Sequence, residues 1–241
     1  MERVSTIEGG ERVIILSPHS CDDTNTAIIA ETIADKLDAY AVINRGWERA
    51  SEVDFWTDKA NCNDIEHLHK PVVKEEFLDP IFEQIYKIRR DPSLQCSPTV
   101  YIFTIHGFSS KKTADIVIGY GNGNPKRYTC DLWRKDALGF YLAKIRFEVF
   151  EGAAGSDYAG WGKKNLNQLS QTNKSYGWWY PDPHVQSMQL EISRDWRINP
   201  KDAEEVGTEI AGAIDDLLCH EDTSPINDRT ITNLSKLREF S

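Results

Sequence analysis

Two nearly unbroken apolar runs, Arg12 to Pro18 (RVIILSP) and Thr99 to Ile105 (TVYIFTI), constrain the fold more than any other feature of the chain. A strand without polar alternation is covered on both faces, and sheets covered on both faces are built mainly from parallel strands with helices packed on each side. After the first run, Thr24 to Leu37 places Ile28, Ile29, Ile33, Ala34 and Leu37 at helical spacing, and Asp38 to Asn44 (DAYAVIN) returns as a strand. That strand, helix, strand unit requires a crossover and therefore parallel pairing.

The same alternation continues along the chain. Residues from Arg45 to His69 read as a long loop, Glu75 to Arg90 as an amphipathic helix with Phe77, Ile81, Ile85 and Ile88 on one side, and Asp115 to Tyr120 as a short strand. Asp131 to Phe150 reads as helix, Gly152 to Pro183 as a Gly-, Asn- and Trp-rich loop, Met188 to Ser193 (MQLEIS) as a late strand, and Asp202 to Leu218 as a closing helix. The expected architecture is α/β, a three-layer sandwich with a mixed, mainly parallel sheet. At 241 residues the chain suits one domain spanning 1–241, with the polar ends 1–11 and 222–241 expected to be flexible.

Composition excludes several classes of function. A net charge of −10 opposes binding to a phosphate backbone, so nucleic acid is not an expected partner. No segment approaches the roughly 20 apolar residues that span a bilayer, and Met1 to Arg12 has no apolar run of the signal-peptide kind. Neither a membrane nor export is expected, and the cytoplasm is the expected location. Five cysteines without a CxxC pair speak against a disulfide framework and against a structural zinc knuckle.

In open α/β sheets ligands gather beyond the carboxyl ends of the strands. Three strands end on chemically suggestive groups: Ser17-Pro18-His19-Ser20-Cys21-Asp22-Asp23, Thr104-Ile105-His106-Gly107, and Gln189-Leu190-Glu191-Ile192. A catalytic zinc typically takes three protein ligands and leaves one position to water, and His19, an acid at 22 or 23, and His106 supply such a set. Two histidines and a carboxylate suit one Zn2+ per chain without excluding another divalent ion. Glu191 interrupts an apolar strand, where a carboxylate needs a partner or a solvated pocket, and it faces away from Leu190 and Ile192. Two competing readings are a thiol hydrolase using Cys21 with His19 or His106, and a binding module without catalysis.

The segments Ser17-Pro18-His19-Ser20, Thr104-Ile105-His106-Gly107 with Asp115-Ile116-Val117-Ile118-Gly119, and Gln186-Ser187-Met188-Gln189-Leu190-Glu191-Ile192 resemble, in order and spacing, the N-formylglutamate amidohydrolase family. The first segment is also similar to phage poly-γ-glutamate hydrolases, in which an acid lies three residues before a threonine; Asp23-Thr24-Asn25-Thr26 has that spacing, so the resemblance favours Asp23 over Asp22. It implies a zinc carboxypeptidase-like fold, zinc on His19, Asp23 and His106, Glu191 as general base, and cleavage of an amide bond in an N-acyl amino acid or γ-glutamyl-type substrate. A small anionic substrate calls for a cation, for which Arg45, Arg49 and Arg194 are the candidates. Asn165, Gln189, His184 and the aromatic run Trp178-Trp179-Tyr180 are candidates for shaping the pocket. The chain departs from the amidohydrolases after the first histidine, where Ser20-Cys21 replaces a glycine-containing loop. It departs again at Ala60-Asn61-Cys62-Asn63, which stands where that family has Asp-Leu-Asn-Arg.

Overall fold

The structure of the chain is a computed structural model that describes residues 3–46, 61–94, 99–109, 113–162, 164–172, 182–223 and 238–240. Eight strands form one sheet: β1 (Val4–Ile7), β2 (Val13–Ser17), β3 (Tyr40–Asn44), β4 (Val100–Phe108), β5 (Ile116–Gly119), β6 (Val149–Gly152), β7 (Val185–Ser193) and β8 (Arg238–Phe240). Their order is β1-β3-β2-β4-β7-β5-β6-β8. Pairing is parallel everywhere except between β1 and β3 and between β5 and β7, so the sheet is mixed and mainly parallel. The long helices are α1 (Thr26–Leu37), α2 (Asp79–Arg90), α3 (Leu132–Ile145) and α4 (Pro200–Thr223).

The helices make the outer layers. On one face Val13, Ile15, Tyr101, Phe103, Ile105, Met188, Leu190 and Ile192 pack with Ile29 and Ile33 of α1, Leu138 of α3 and Ile210 and Ile214 of α4. On the other, Ile14, Leu16, Val42, Val100, Ile102 and Val185 pack with Phe77, Ile81, Phe82 and Ile85 of α2 and its approach. Strand alternation then dictates what comes next: beyond Ile102 and Val185 the residues on the α2 face are Thr104 and His106 of β4 and Gln189 and Glu191 of β7. These polar groups sit past the end of the apolar layer, where the face opens into a cavity.

Several boundaries differ from the sequence reading for identifiable reasons. The helix expected through Phe150 ends at Ile145, and Val149–Gly152 form β6, because the β-branched and aromatic pair Val149-Phe150 aligns in parallel with Ile116 and Val117. The helix expected from Glu75 begins as a π-turn at Lys74–Leu78 and becomes α-helical only at Asp79. The late strand is longer than expected, Val185–Ser193, since the polar Gln186 and Ser187 are accommodated by bonds to Asp131 and Thr129. Both ends expected to be flexible contribute strands, with β1 laid along β3 and β8 along β6. The aromatic loop residues Trp178, Trp179 and Tyr180, and most of the 45–69 loop, lie outside the described residues. No helix among the described residues is long and apolar enough to cross a membrane.

Candidate metal centre

The loop after β2 is knitted by its own backbone. The N–H groups of Asp22 and Asp23 donate to the His19 carbonyl (3.0 and 2.9 Å), and the Asp23 carbonyl accepts from the N–H and Oγ1 of Thr26 (3.1 and 2.8 Å) at the start of α1. His19 and Asp23 are thereby held on one compact turn. Asp22 is exposed, whereas Asp23 is partly buried and turned to the sheet, where its Oδ2 accepts the Gly107 N–H at 3.1 Å.

The same Oδ2 lies 3.6 Å from Nδ1 of His106, and the rings of His19 and His106 meet edge to face with centroids 5.0 Å apart. One donor atom from each of His19, Asp23 and His106 lies within 4.8 Å of the others. A strand-end histidine, a loop histidine and a loop carboxylate thus converge, although 83 and 87 residues separate His106 from Asp23 and His19 in the sequence.

The donor chemistry fits a divalent ion. Asn61 Oδ1 stands 2.9 Å from Nε2 of His19 and also accepts the Asn63 N–H at 2.8 Å, so its oxygen faces a protonated Nε2 and leaves the lone pair on Nδ1. The buried Nε2 of His106 has no hydrogen-bond partner, an arrangement that is costly unless something else occupies it. Burial, reinforced by the charge of His106, pulls the His19 imidazolium down to about 4, so His19 is neutral and ready to ligate. Burial also acts to lower His106, but the carboxylates of Asp23 and Glu191 outweigh it and leave its pKa raised.

These opposed shifts predict how metal binding depends on pH. A metal must displace the proton that Asp23 and Glu191 hold on His106, so affinity falls as pH drops through the raised pKa of His106 and levels off above it. His19 contributes a further loss only near its value of about 4. Zinc titrations from pH 5 to 8.5 are expected to show affinity rising with pH; a flat profile across this range would exclude His106 as a ligand.

Glu191 pairs directly with His106 in the β4–β7 ladder, so both side chains leave the sheet on the same face. It is buried, and Gln189 Nε2 donates to its Oε1 at 2.7 Å while also donating to the Asp157 carbonyl at 3.1 Å. Gln189 Oε1 in turn accepts from Asn165 Nδ2 at 3.2 Å. Burial is the main force lifting the Glu191 carboxyl from an ordinary 4.5 to about 7; Asp23 adds to the rise, and His106, Arg197 and the Gln189 hydrogen bond oppose it. A carboxyl poised near neutrality suits proton transfer in both directions.

A cavity of about 780 Å³ opens onto these groups, lined by His19, Asp23, His106, Glu191, Asn63 and Tyr158 among others. Asn165 and Gln189 belong to the wall as well, whereas His184 does not and instead donates its N–H to Asp182. Arg45 is placed elsewhere, donating to Ser5 at 2.7 Å and pairing with Glu31, and Arg194 is exposed; neither lines the cavity. Arg49 lies outside the described residues. Cys21 is absent from the cavity lining, and its Sγ faces Asn44 Oδ1 at 3.5 Å.

No protein-family model and no curated protein matches the sequence. Solved structures do match along most of the chain. N-formylglutamate amidohydrolase from Ralstonia eutropha aligns with a TM-score of 0.51 at 12% identity, over 89% of this chain and 99% of that one. A bacteriophage poly-γ-glutamate hydrolase aligns at 0.50 and 11%, over 90% and 88%, and a metallo-carboxypeptidase from Burkholderia cenocepacia at 0.50 and 15%, over 92% and 65%. The fold is zinc carboxypeptidase-like. At these identities the likeness is one of architecture, and the chemistry must be argued from the side chains.

The sequence reading missed two residues that hold the centre together. Asn61 lies two positions before Asn63 in a segment noted only for its departure from a family pattern, and it orients His19. Arg197, three residues past the Arg194 that was singled out, is buried against the loops carrying the site. Its partners are backbone carbonyls, which leave no mark in the residue pattern.

Proposed function

We propose that the chain is a metal-dependent hydrolase of amide bonds, with His19, Asp23 and His106 holding one divalent ion, zinc by donor type, and Glu191 as general base. The observation that carries this reading is the convergence of the three donors beside a buried carboxyl poised near neutrality, all facing one cavity. A divalent ion bound there supplies Lewis acidity, polarising a substrate carbonyl and lowering the pKa of water. Glu191, held at Oε1 by Gln189, takes a proton from the attacking water as oxygen bonds to the carbonyl carbon. It then delivers that proton to the amine nitrogen as the carbon–nitrogen bond breaks.

The substrate class assigned is an N-acyl amino acid or a γ-glutamyl-type amide. Support for this comes from the resemblance of the strand-end motifs and from the fold shared with hydrolases of such names. With Arg45 engaged by Glu31 and Ser5, and Arg194 exposed away from the cavity, the substrate carboxylate is assigned to Arg49, the remaining one of the three candidate arginines. A cytoplasmic setting is proposed from the cysteine pattern of the sequence, five residues without the spacing of a disulfide framework.

The expected result is that zinc-loaded protein hydrolyses at least one member of a panel of N-acyl amino acids and γ-glutamyl peptides, and that a chelator stops the reaction. Turnover unaffected by chelator but stopped by iodoacetamide would transfer the chemistry to a thiol. No turnover of any panel member by the loaded protein would remove this substrate class.

A further inference from the structure

Three segments meet at the centre: the loop after β2 and the carboxyl-terminal ends of β4 and β7. One side chain donates to a backbone carbonyl of each. Arg197 donates from Nη1 to the Thr24 carbonyl at 2.8 Å, from Nη2 to the Phe108 carbonyl at 3.1 Å and from Nε to the Ile192 carbonyl at 3.1 Å. Thr24 follows Asp23 directly, Ile192 follows Glu191 directly, and Phe108 lies two residues beyond His106.

We infer that Arg197 is the positioning residue that assembles this centre, one buried guanidinium tying the loop of His19 and Asp23 to the strand ends of His106 and Glu191. The inference rests on the metallohydrolase reading for its consequence and on these hydrogen bonds for its geometry. Only arginine offers a planar fork of donors that stays charged at every working pH, so it can hold three carbonyls at once. The backbone that carries the arginine is held to the same loop, since Asn25 Nδ2 donates to the Arg197 carbonyl at 2.9 Å.

Gly107 makes room for it. A Cβ on Gly107 would stand 2.2 Å from Arg197 Cζ and Nη2 and 2.5 Å from Nε, so any side chain there displaces the guanidinium. Strand β4 carries a glycine immediately after its histidine because the arginine crosses at that point. Displacement of Arg197 removes all three of its hydrogen bonds and lets the loop and the two strand ends move independently, while the apolar cores of the two outer layers are untouched.

The test uses Arg197→Lys and, should that variant fold poorly, Gly107→Ala, each compared with Val206→Ala, a truncation in the apolar core on α4 that is not part of the cavity wall. Two quantities are measured: zinc affinity by chelator competition, and hydrogen exchange of the metal-free protein over residues 19–26, 104–109 and 189–194. Arg197→Lys is expected to lose roughly 10- to 100-fold in zinc affinity, the usual effect of losing a partner that orients ligands, and to exchange faster in all three segments together. Val206→Ala should lower the unfolding temperature and leave the zinc affinity unchanged. Wild-type affinity in Arg197→Lys, or faster exchange confined to residues around 197, would overturn the clamp. Failure of the wild-type protein to bind zinc would instead overturn the metallohydrolase reading, and the exchange pattern would then decide the clamp alone.

Discussion

Glu191→Gln is expected to lower kcat by about 10³-fold, within the usual range for a general base, at unchanged metal content. The amide keeps the size of the carboxyl and its oxygen can still accept from Gln189 Nε2, so the strand and the cavity are preserved. What is lost is a group that accepts a proton near neutrality. The same substitution should act in the opposite direction on the stability of the metal-free protein. A carboxyl with an ordinary value of 4.5 raised to about 7 binds its proton more tightly folded than unfolded. Its contribution is therefore favourable below about pH 4.5 and is lost as pH rises toward 7, where the buried group must ionise. Removing it should stabilise the metal-free protein at pH 8 by up to about 3 kcal/mol, with the gain vanishing near pH 4.5. Urea unfolding of both proteins at the two pH values measures this. A Glu191→Gln enzyme with full turnover would exclude Glu191 as the base, and equal stability at pH 8 would mean that the carboxylate is not buried as described.

His106→Ala is expected to abolish tight zinc binding, reducing affinity by far more than the roughly 100-fold that loss of an outer partner costs. Its imidazole is buried at the end of β4, and the two remaining donors lie on one short turn that cannot enclose an ion alone. The alanine protein should nonetheless fold, since Tyr101, Phe103 and Ile105 on the opposite face of the strand carry the packing. Turnover should fall with the metal and return in neither excess zinc nor at higher pH. Isothermal titration with zinc, set beside circular dichroism, separates loss of a ligand from loss of the fold. Retention of wild-type affinity would place the ion elsewhere.

His106 and Glu191 were legible in the sequence because the first follows an apolar strand directly and the second interrupts one, and in the structure strand alternation puts both on the same face of the sheet. His19 was legible from its place after the proline that ends the first apolar run. Between the neighbouring acids, residue types alone do not decide; the resemblance to the phage hydrolases favours Asp23, and in the structure Asp23 faces Gly107 and His106 while Asp22 is exposed. The cation for the substrate was harder to read, because an arginine's partner depends on tertiary neighbours: Arg45 finds Glu31 on α1. Arg197 left no signal, since its partners are carbonyls contributed by three segments distant in sequence. Strand β6 reads as helix because its four residues, directly after a helix, are too few to show a period of two.

The most direct test of the account is the zinc content of the protein after saturation with zinc and removal of the excess, measured by elemental analysis for the wild type and for Asp23→Ala. The account predicts about one zinc per chain in the wild type, as a three-ligand catalytic site holds, and essentially none in the variant. A wild-type protein that retains no zinc, or an Asp23→Ala protein that retains as much as the wild type, would contradict it.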